Sequence, residues 1–450
     1  MNRHTERSAQ LSRIWRLARW LPLIWYAPVA LAQVELPAPA GDSSTAGPEE
    51  HEADAAAGSE EREADAAARE WLEQAHLLEE PEPDVWAVPQ RLTAPPLATC
   101  KSLPKEQDWV GAARKRDDGK YVVWRDGMDR VLTLDAGLQE KLQQILRSYQ
   151  TPYGAVVAIE PLSGRVLAMA EHSAQEPGLR GLTTRAVFPA ASIFKIVTAA
   201  ALLEEGVEPG FPECFHGGKR RISEKLLTDS NRDRRCYPLS TALAMSANVV
   251  FAKLTFKHLS SERLQAAAES FHFNRPWEFA VPTDPSLAAI PSDPLGLASA
   301  GSGFGDVYLS PLHGAAIAAS LASFGRWRNP ILFEGDVQPI ATPEQVVSEE
   351  VARQLDDMLE ETITSGTARR IFRERGFRVP GAVGKTGSLA DRHPYREYSW
   401  FIGFAPKDSP QIAVAAVVVN QAKWRIRATW LAREAMRLYL QAKGGLASSP

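Results

Sequence analysis

Phe188-Pro-Ala-Ala-Ser-Ile-Phe-Lys-Ile-Val-Thr-Ala-Ala-Ala-Leu-Leu-Glu-Glu-Gly206 is the stretch around which the chain is organised. Pro189 suits the first turn of a helix, Gly206 suits the left-handed residue after its end, and nothing between them would break a helix. The stretch therefore predicts a helix of about four turns. Because its residues leave no polar face, we expect this helix to be buried on most sides.

Ser192 and Lys195 are the two reactive side chains in this apolar helix. A spacing of three residues places them on one helical face, within reach of each other. An apolar setting disfavours an ammonium group, so Lys195 should lose its proton more easily than a surface lysine and accept the proton of the Ser192 hydroxyl. The alternative is an ordinary helix-start serine and a lysine that reaches the surface. Ser102-Leu-Pro-Lys105 has the same spacing by chance, with a proline inside it.

Two further motifs follow along the chain, Ser246-Ala247-Asn248 and Lys385-Thr386-Gly387-Ser388. In this order and with these gaps, the three motifs resemble the signature of the penicillin-recognising serine acyltransferases. That family includes penicillin-binding transpeptidases, carboxypeptidases and serine β-lactamases. The resemblance covers about residues 130–440 and includes residues 131–139, 154–169, 310–312, 365–368 and 400–403.

The resemblance implies a role for each motif residue. Ser192 would be the nucleophile and Lys195 the base that activates it. Ser246 would relay a proton to the leaving nitrogen, and Asn248 would hydrogen-bond Lys195 and the substrate backbone. The backbone N–H groups of Ser192 and Ser388 would form the oxyanion hole.

Residues 382–389 are predicted to form a strand that binds the substrate. Alternation along a strand puts Thr386 and Ser388 on one side, where two hydroxyls could hold a terminal carboxylate, and Lys385 adds positive charge. Gly387 leaves room for an extended peptide to lie against the strand. A phosphate-binding Gly-Lys-Thr is the alternative, but the glycine-rich loop of such a site is missing before Gly384.

The hydrophobic pattern predicts an α+β fold, with a five-stranded antiparallel sheet flanked by helices and an inserted all-helical lobe. The predicted sheet strands are residues 155–159, 165–169, 382–389, 399–405 and 412–419. The resemblance implies the same architecture, with the reactive serine between lobe and sheet, where ligand clefts are common.

Residues 1–32 are predicted to be a signal peptide, because arginines precede a short apolar run that ends in Ala30-Leu31-Ala32. If it were not cleaved, this segment would hold the protein close to the membrane. Residues 33–100 form a predicted disordered linker, in which fifteen carboxylates between positions 42 and 84 face two arginines. A short β segment (101–130) and the transpeptidase-like domain (131–450) follow. We expect the protein to be exported, to the periplasm or to the outer face of the cytoplasmic membrane.

The whole chain has a formal net charge of -4, and most of its acidic excess lies in the linker. The remaining, mildly basic part suits an anionic cell-wall polymer, but the bias is too small to indicate nucleic acid. The resemblance implies no metal and no cofactor. It implies peptidoglycan stem peptides and β-lactam antibiotics as ligands, and other cell-wall synthesis proteins are candidate partners.

The chain has three cysteines, Cys100, Cys214 and Cys236. We expect Cys214 and Cys236 to form a disulfide, because the segment between them is polar and an exported protein allows the bond. Closing this loop would stabilise the fold by roughly 3 kcal/mol on the chain-entropy model. The alternative is three free thiols, and no histidine spacing indicates zinc.

The resemblance implies a D,D-transpeptidase or D,D-carboxypeptidase that acts on the D-Ala-D-Ala end of stem peptides. Two alternatives stay open: a serine β-lactamase of the carboxylated-lysine type, and a non-catalytic sensor that keeps the fold. Gly301-Ser-Gly-Phe-Gly305 could shape a cleft wall or be an ordinary turn, and His313 is interpreted as structural.

Overall fold

The structure, a computed structural model, describes Leu97 and residues 102–217, 222–336, 343–423 and 425–444. The helices are α1 Ala136–Ser148, α2 Lys195–Glu204, α3 Leu239–Ala244, α4 Asn248–His258, α5 Ser261–Ser270, α6 Pro294–Gly301, α7 Pro311–Leu321, α8 Glu349–Thr364, α9 Arg369–Phe372 and α10 Ala428–Ala442. The strands are β1 Arg114–Lys115, β2 Tyr121–Arg125, β3 Met128–Val131, β4 Tyr153–Ile159, β5 Val166–His172, β6 Phe188–Pro189, β7 Pro212–Phe215, β8 Arg235–Pro238, β9 Leu287–Ala288, β10 Val307–Leu309, β11 Arg326–Trp327, β12 Glu344–Gln345, β13 Val383–Arg392, β14 Tyr395–Ala405 and β15 Ile412–Asn420.

The central sheet has five antiparallel strands in the order β13-β14-β15-β4-β5. All nine residues of β15 are buried, because this strand lies in the middle of the sheet and both of its faces are covered. β13 is an edge strand, and it carries Lys385 opposite Ile402 of β14. The sheet confirms the predicted α+β class and the predicted set of five strands.

Helices cover both faces of this sheet. α1 and α10 pack on one face, where Leu142 and Met436 join Val414 in one apolar core. α7 packs on β4 and β15 from the other face, and α2 belongs to the same larger core. The predicted helical lobe, α2 to α6, lies between β5 and β13 in the chain. The region between these strands is not purely helical, since it also holds three small sheets: β7-β8, β6-β10-β9 and β11-β12.

The helix that the sequence predicts from residue 189 is shorter than expected. Pro189 belongs to β6, Ala191–Ile193 forms a 3-10 turn, and α2 begins at Lys195. Ala191 has a φ of 50°, a value that a regular α-helix cannot include. Burial is as predicted, since every residue of α2 except Glu204 is buried. Ser192 therefore lies in a tight turn immediately before the helix rather than within it.

A hairpin of β7 and β8 carries Cys214 and Cys236, and the structure joins these two cysteines by a disulfide bond. The hairpin is also held to α4. The buried Lys253 of that helix donates a hydrogen bond to the Cys214 carbonyl (2.7 Å) and to Asp233 (2.8 Å). The hairpin at the two ends of the polar segment between Cys214 and Cys236 is thus fixed to α4, the helix that begins with Asn248.

β1, β2 and β3 form a small antiparallel sheet that ends at Val131. The division of the chain into a β segment of residues 101–130 and a domain of residues 131–450 stays a prediction. The predicted signal peptide and nearly all of the predicted linker, with Cys100, lie outside the described residues. Within the part of the chain that the structure describes, no helix is both long enough and apolar enough to span a membrane.

Asp356 is a carboxylic acid inside the fold, 7% exposed on α8. Burial raises its pKa to about 8. The folded protein therefore holds this proton between pH 4 and 8, where an unfolded aspartate has lost it, so the stabilisation from this group falls as pH rises through that window. Asp356→Asn should remove this pH dependence and raise the free energy of unfolding by up to about 4 kcal/mol at pH 7.

Urea unfolding at pH 5 and pH 8 measures this effect. Asp357→Asn is the matched control, since the neighbouring carboxylate is 75% exposed and pairs with Lys407. An Asp356→Asn variant that loses stability with rising pH as steeply as the wild type would contradict the assignment.

Candidate active site

The amine of Lys195 is the centre of a buried hydrogen-bonded cluster. Its Nζ lies 2.9 Å from Ser192 Oγ and 2.8 Å from Asn248 Oδ1. It also donates a short hydrogen bond to the Ser302 carbonyl oxygen. The lysine is 0% exposed, and the ring of Phe251 lies 5.7 Å from its Nζ. The structure thus brings together Ser192, Lys195 and Asn248, which span 56 positions of the chain, and adds Ser302.

Three segments position this cluster. The 3-10 turn presents Ser192, and the first residue of α2 presents Lys195. α4 begins at Asn248, which follows a turn with Ser246 at a φ of 55°. The turn after α6 supplies the Ser302 carbonyl, and the Ser302 hydroxyl donates to the Asn248 carbonyl oxygen (2.9 Å). The side chains are therefore held by backbone contacts as well as by their own hydrogen bonds.

Burial lowers the pKa of Lys195 well below the ordinary value for lysine, and the nearby Lys385 adds to this effect. A neutral amine next to a hydroxyl can take its proton, which is the property expected of a base that activates a serine. The environment of Lys195 is therefore chemically suited to nucleophilic catalysis by Ser192.

Lys385 is a second buried lysine, on the edge strand β13. It is 0% exposed, and its Nζ donates a hydrogen bond to the Thr386 carbonyl oxygen (2.9 Å). Burial lowers its pKa to about 7. The amine is therefore poised between its two protonation states near neutral pH, and a bound carboxylate would favour the charged one.

β13 presents two different faces, as the predicted alternation requires. Gly387 faces the Ser192 turn, and a Cβ at this position would lie 3.1 Å from Ile193 Cγ1. Its missing side chain is thus explained by packing against that turn rather than by room for a peptide. Thr386 and Ser388 alternate with it, and the Thr386 hydroxyl bonds the Thr367 hydroxyl (2.6 Å) while Ser388 is exposed.

Ser246 lies in the turn between α3 and α4, two residues before Asn248. Ser246 has a φ of 55° in this turn, so the chain is not helical between Ala244 and Asn248. In the described residues, no side-chain hydrogen bond joins the Ser246 hydroxyl to Ser192, Lys195 or Lys385. Its role as proton relay stays a prediction.

The backbone N–H of Ser192 has no hydrogen-bond acceptor among the described residues. The turn leaves this donor available, while the next two N–H groups bond the carbonyls of Ala190 and Ala191. A free, fixed N–H beside the reactive hydroxyl has the property that an oxyanion hole needs.

The segment Gly301–Gly305 has a larger part in the site than its sequence indicates. Gly303, at a φ of 86°, packs against the Ser192 turn so closely that a Cβ would lie 2.1 Å from the Ala191 carbonyl oxygen. Gly303 thus supports the turn that carries Ser192, and the Ser302 carbonyl oxygen holds the amine of Lys195. The only sequence signal was the repeated glycine, which is equally typical of an ordinary turn.

Gly303→Ala is expected to displace the Ser192 turn and slow acylation of the protein by a β-lactam about a hundredfold, since a shift of about 1 Å has that effect on catalysis. Gly305→Ala is the matched control, because Gly305 has a similar φ of 84° but no atom near the position of a Cβ. The second-order rate constant for acylation measures both. Equal rates for the two variants would show that the contact with Ala191 does not matter.

His313 is buried in α7, and its Nε2 lies 2.7 Å from the Phe271 carbonyl oxygen. It has no contact with the Lys195 cluster, as its structural interpretation requires. Within the described ranges, no group of three or more His, Cys, Asp or Glu side chains is arranged to hold a metal ion.

Residues 154–436 match the family of penicillin-binding protein transpeptidase domains. This match covers more than half of the chain, and the three motifs and the buried Lys195 cluster all fall inside it. The chain therefore belongs to the penicillin-binding protein transpeptidase domain family.

Among its relatives, the peptidoglycan D,D-transpeptidase PbpA of Mycolicibacterium smegmatis is 29% identical over 313 residues, which cover 59% of this chain and 61% of the relative. Stage V sporulation protein D of Bacillus subtilis is 27% identical over 356 residues, which cover 72% of this chain and 53% of the relative. The chain thus spans little more than half of the length of these relatives.

Solved structures agree on the fold. The D,D-transpeptidase domain of a peptidoglycan glycosyltransferase from Eggerthella lenta superposes with a TM-score of 0.57 at 22% identity, covering 74% of this chain and 96% of that one. Penicillin-binding protein A from Mycobacterium tuberculosis, solved as a penicillin G acyl-enzyme complex, has a TM-score of 0.54 at 23% identity, covering 69% of this chain and 80% of that one.

Proposed function

We propose that this protein is a peptidoglycan D,D-transpeptidase that β-lactams acylate at Ser192. The observation that carries the proposal is the buried, proton-accepting amine of Lys195, 2.9 Å from Ser192 Oγ. The names of the relatives support this reaction class, and so does the penicillin G acyl-enzyme of the mycobacterial structural neighbour. We also propose that the protein acts outside the cytoplasm, because its substrate lies there.

In the proposed acylation, Ser192 Oγ attacks the carbonyl carbon of the penultimate D-alanine, and the Lys195 amine takes the hydroxyl proton. The N–H groups of Ser192 and Ser388 stabilise the negative oxygen. The C–N bond then breaks, and Ser246 relays the proton from Lys195 to the departing D-alanine. This leaves an ester on Ser192 and a neutral lysine.

In the second half of the reaction, an acceptor amine attacks the ester and its proton returns through Lys195 to Ser192. Transfer to water instead of an amine would make the protein a D,D-carboxypeptidase. Lys385, Thr386 and Ser388 would bind the substrate carboxylate, since a charged amine and two hydroxyls are suited to it. The carboxylate would in turn keep Lys385 protonated above its resting pKa of about 7.

A β-lactamase of the carboxylated-lysine type is the competing enzyme. A carbamate on Lys195 would add negative charge where Asn248 Oδ1 and the Ser302 carbonyl oxygen both accept from the amine. Two acceptors favour a donor at this position, so the free amine suits the site better than a carbamate.

The ester formed by penicillin on Ser192 is therefore expected to persist for minutes or longer, with or without bicarbonate. The reason is that hydrolysis needs a base and a positioned water beyond the groups used in acylation. Loss of fluorescent label from the purified acyl-enzyme over time measures the lifetime. A bicarbonate-dependent turnover above roughly 1 per second, the low end of ordinary enzyme rates, would make the protein a β-lactamase.

A non-catalytic sensor would also hold the label. Release of D-alanine from a stem peptide with an amine acceptor separates the two, because a transpeptidase releases it and forms the cross-linked product. A labelled protein that releases no D-alanine would favour the sensor.

A further inference from the structure

Residues 369–378 form a strongly cationic surface segment. Five arginines lie within these ten residues, and all five are exposed: Arg369, Arg370, Arg373, Arg375 and Arg378. The one carboxylate of the segment, Glu374, forms an ion pair with the buried Arg433 of α10. We call the five side chains the arginine patch.

None of the five guanidinium groups has an ion pair or a side-chain hydrogen bond with another described residue. Most other arginines on the described surface do have such partners, among them Arg114, Arg130, Arg263 and Arg353. Five like charges this close together repel each other and destabilise the folded state. The patch therefore does not contribute to folding through its charges.

Apolar packing does not explain the patch either. α9 is fixed to the sheet through the buried Phe372, whose ring stacks on Phe401 at a centroid distance of 5.2 Å. Its backbone is held by Arg433, which donates to the Ile371 carbonyl oxygen (2.8 Å). The apolar side of the helix thus anchors it, and the arginines point away from that anchor into solvent.

The patch begins at the candidate active site. Thr367, two residues before Arg369, bonds the Thr386 hydroxyl (2.6 Å) and donates its N–H to the Ala244 carbonyl oxygen (3.1 Å). Ala244 is the last residue of α3, two positions before Ser246. A turn that touches both the edge strand and the Ser246 loop therefore leads directly into the arginines.

We propose that the arginine patch binds the carboxylate-bearing peptidoglycan strand whose stem peptide enters the active site. This inference rests on the proposed function and extends it to the rest of the substrate. Guanidinium groups bind carboxylates through paired, charge-assisted hydrogen bonds, and a polymer with many carboxylates can engage several arginines at once. A patch of one sign next to a cleft also raises the local concentration of an oppositely charged substrate.

Binding of the purified protein to isolated peptidoglycan sacculi tests the proposal, at low and at high NaCl. The first variant combines Arg369→Gln, Arg370→Gln and Arg373→Gln. It should bind sacculi about tenfold more weakly at low salt, the low end of electrostatic steering effects, and the difference should shrink at high salt. A second variant, farther from Thr367, combines Arg373→Gln, Arg375→Gln and Arg378→Gln and should show the same loss.

The control variant removes the same number of positive charges elsewhere: Lys105→Gln, Lys141→Gln and Arg147→Gln. These three residues are exposed and have no ion pair among the described residues, so this protein should bind sacculi like the wild type. Fluorescent penicillin at saturating concentration should label all four proteins completely, because none of the substituted residues belongs to the Lys195 cluster that acylation uses. If penicillin fails to label the wild type, the proposed function is wrong. The comparison of sacculus binding still shows whether the arginine patch binds peptidoglycan.

Patch variants that bind sacculi as tightly as the wild type would overturn the proposal. So would a patch-dependent binding to phosphatidylglycerol vesicles with no patch-dependent binding to sacculi, since the partner would then be a membrane surface.

Discussion

Ser192→Ala is expected to abolish covalent labelling of this protein by fluorescent penicillin. The label is an ester, and the Ser192 hydroxyl is the one whose proton can pass to a buried lysine with a lowered pKa. Removing a single oxygen leaves the turn, Lys195 and the backbone N–H of residue 192 in place, so the loss would not reflect unfolding. Gel fluorescence after incubation with the labelled drug, with circular dichroism to check the fold, measures the outcome.

Ser102→Ala is the matched control, because Ser102 and Lys105 repeat the spacing of the reactive pair. The Ser102 hydroxyl donates to the Gly178 carbonyl oxygen (3.2 Å) and accepts from the Arg180 N–H (3.0 Å), in an exposed place. Among the described residues, its hydroxyl has no hydrogen bond with a lysine, and the variant should label like the wild type. Label that survives Ser192→Ala would contradict the assignment of the nucleophile.

Lys195→Met is expected to slow acylation by penicillin about a thousandfold or more, within the usual range for loss of a general base. Methionine suits the apolar surroundings of α2, so the variant should still fold. In the wild type the rate should fall as the pH is lowered, because a protonated amine cannot accept the Ser192 proton. The acylation rate constant is measured across pH. In the variant it should be small at every pH and should no longer fall as the pH is lowered.

Lys105→Met is the control for this experiment, since Lys105 is exposed and outside the site. An unchanged rate in Lys195→Met would show that another group activates the serine. A reduced rate that keeps the wild-type pH dependence would assign that dependence to a different residue, with Lys385 as the first candidate.

Much of the fold and of the candidate site could be predicted from the sequence. β4, β15 and the second half of β14 (residues 400–405) are nearly continuous apolar runs, and runs of this length and composition indicate buried strands. The sequence also indicated the Ser192 and Lys195 pair, since spacing alone brings two side chains near each other. The helix Glu349–Thr364 lies outside the predicted elements, although Val351, Leu355 and Met358 give it a buried apolar face.

Only the tertiary structure decided how the site is held. Ala191 and Ser246 take positive φ values although neither is a glycine, so local preference argues against the conformations that orient Ser192 and Asn248. Contacts between distant segments impose them: Gly303 supports the Ala191 turn, and the Ser302 carbonyl, more than a hundred residues from Lys195, accepts from its amine. A backbone carbonyl is present in every residue and leaves no mark in the sequence. Residue types thus determined which chemistry is available here, whereas packing between remote parts of the chain determined its geometry.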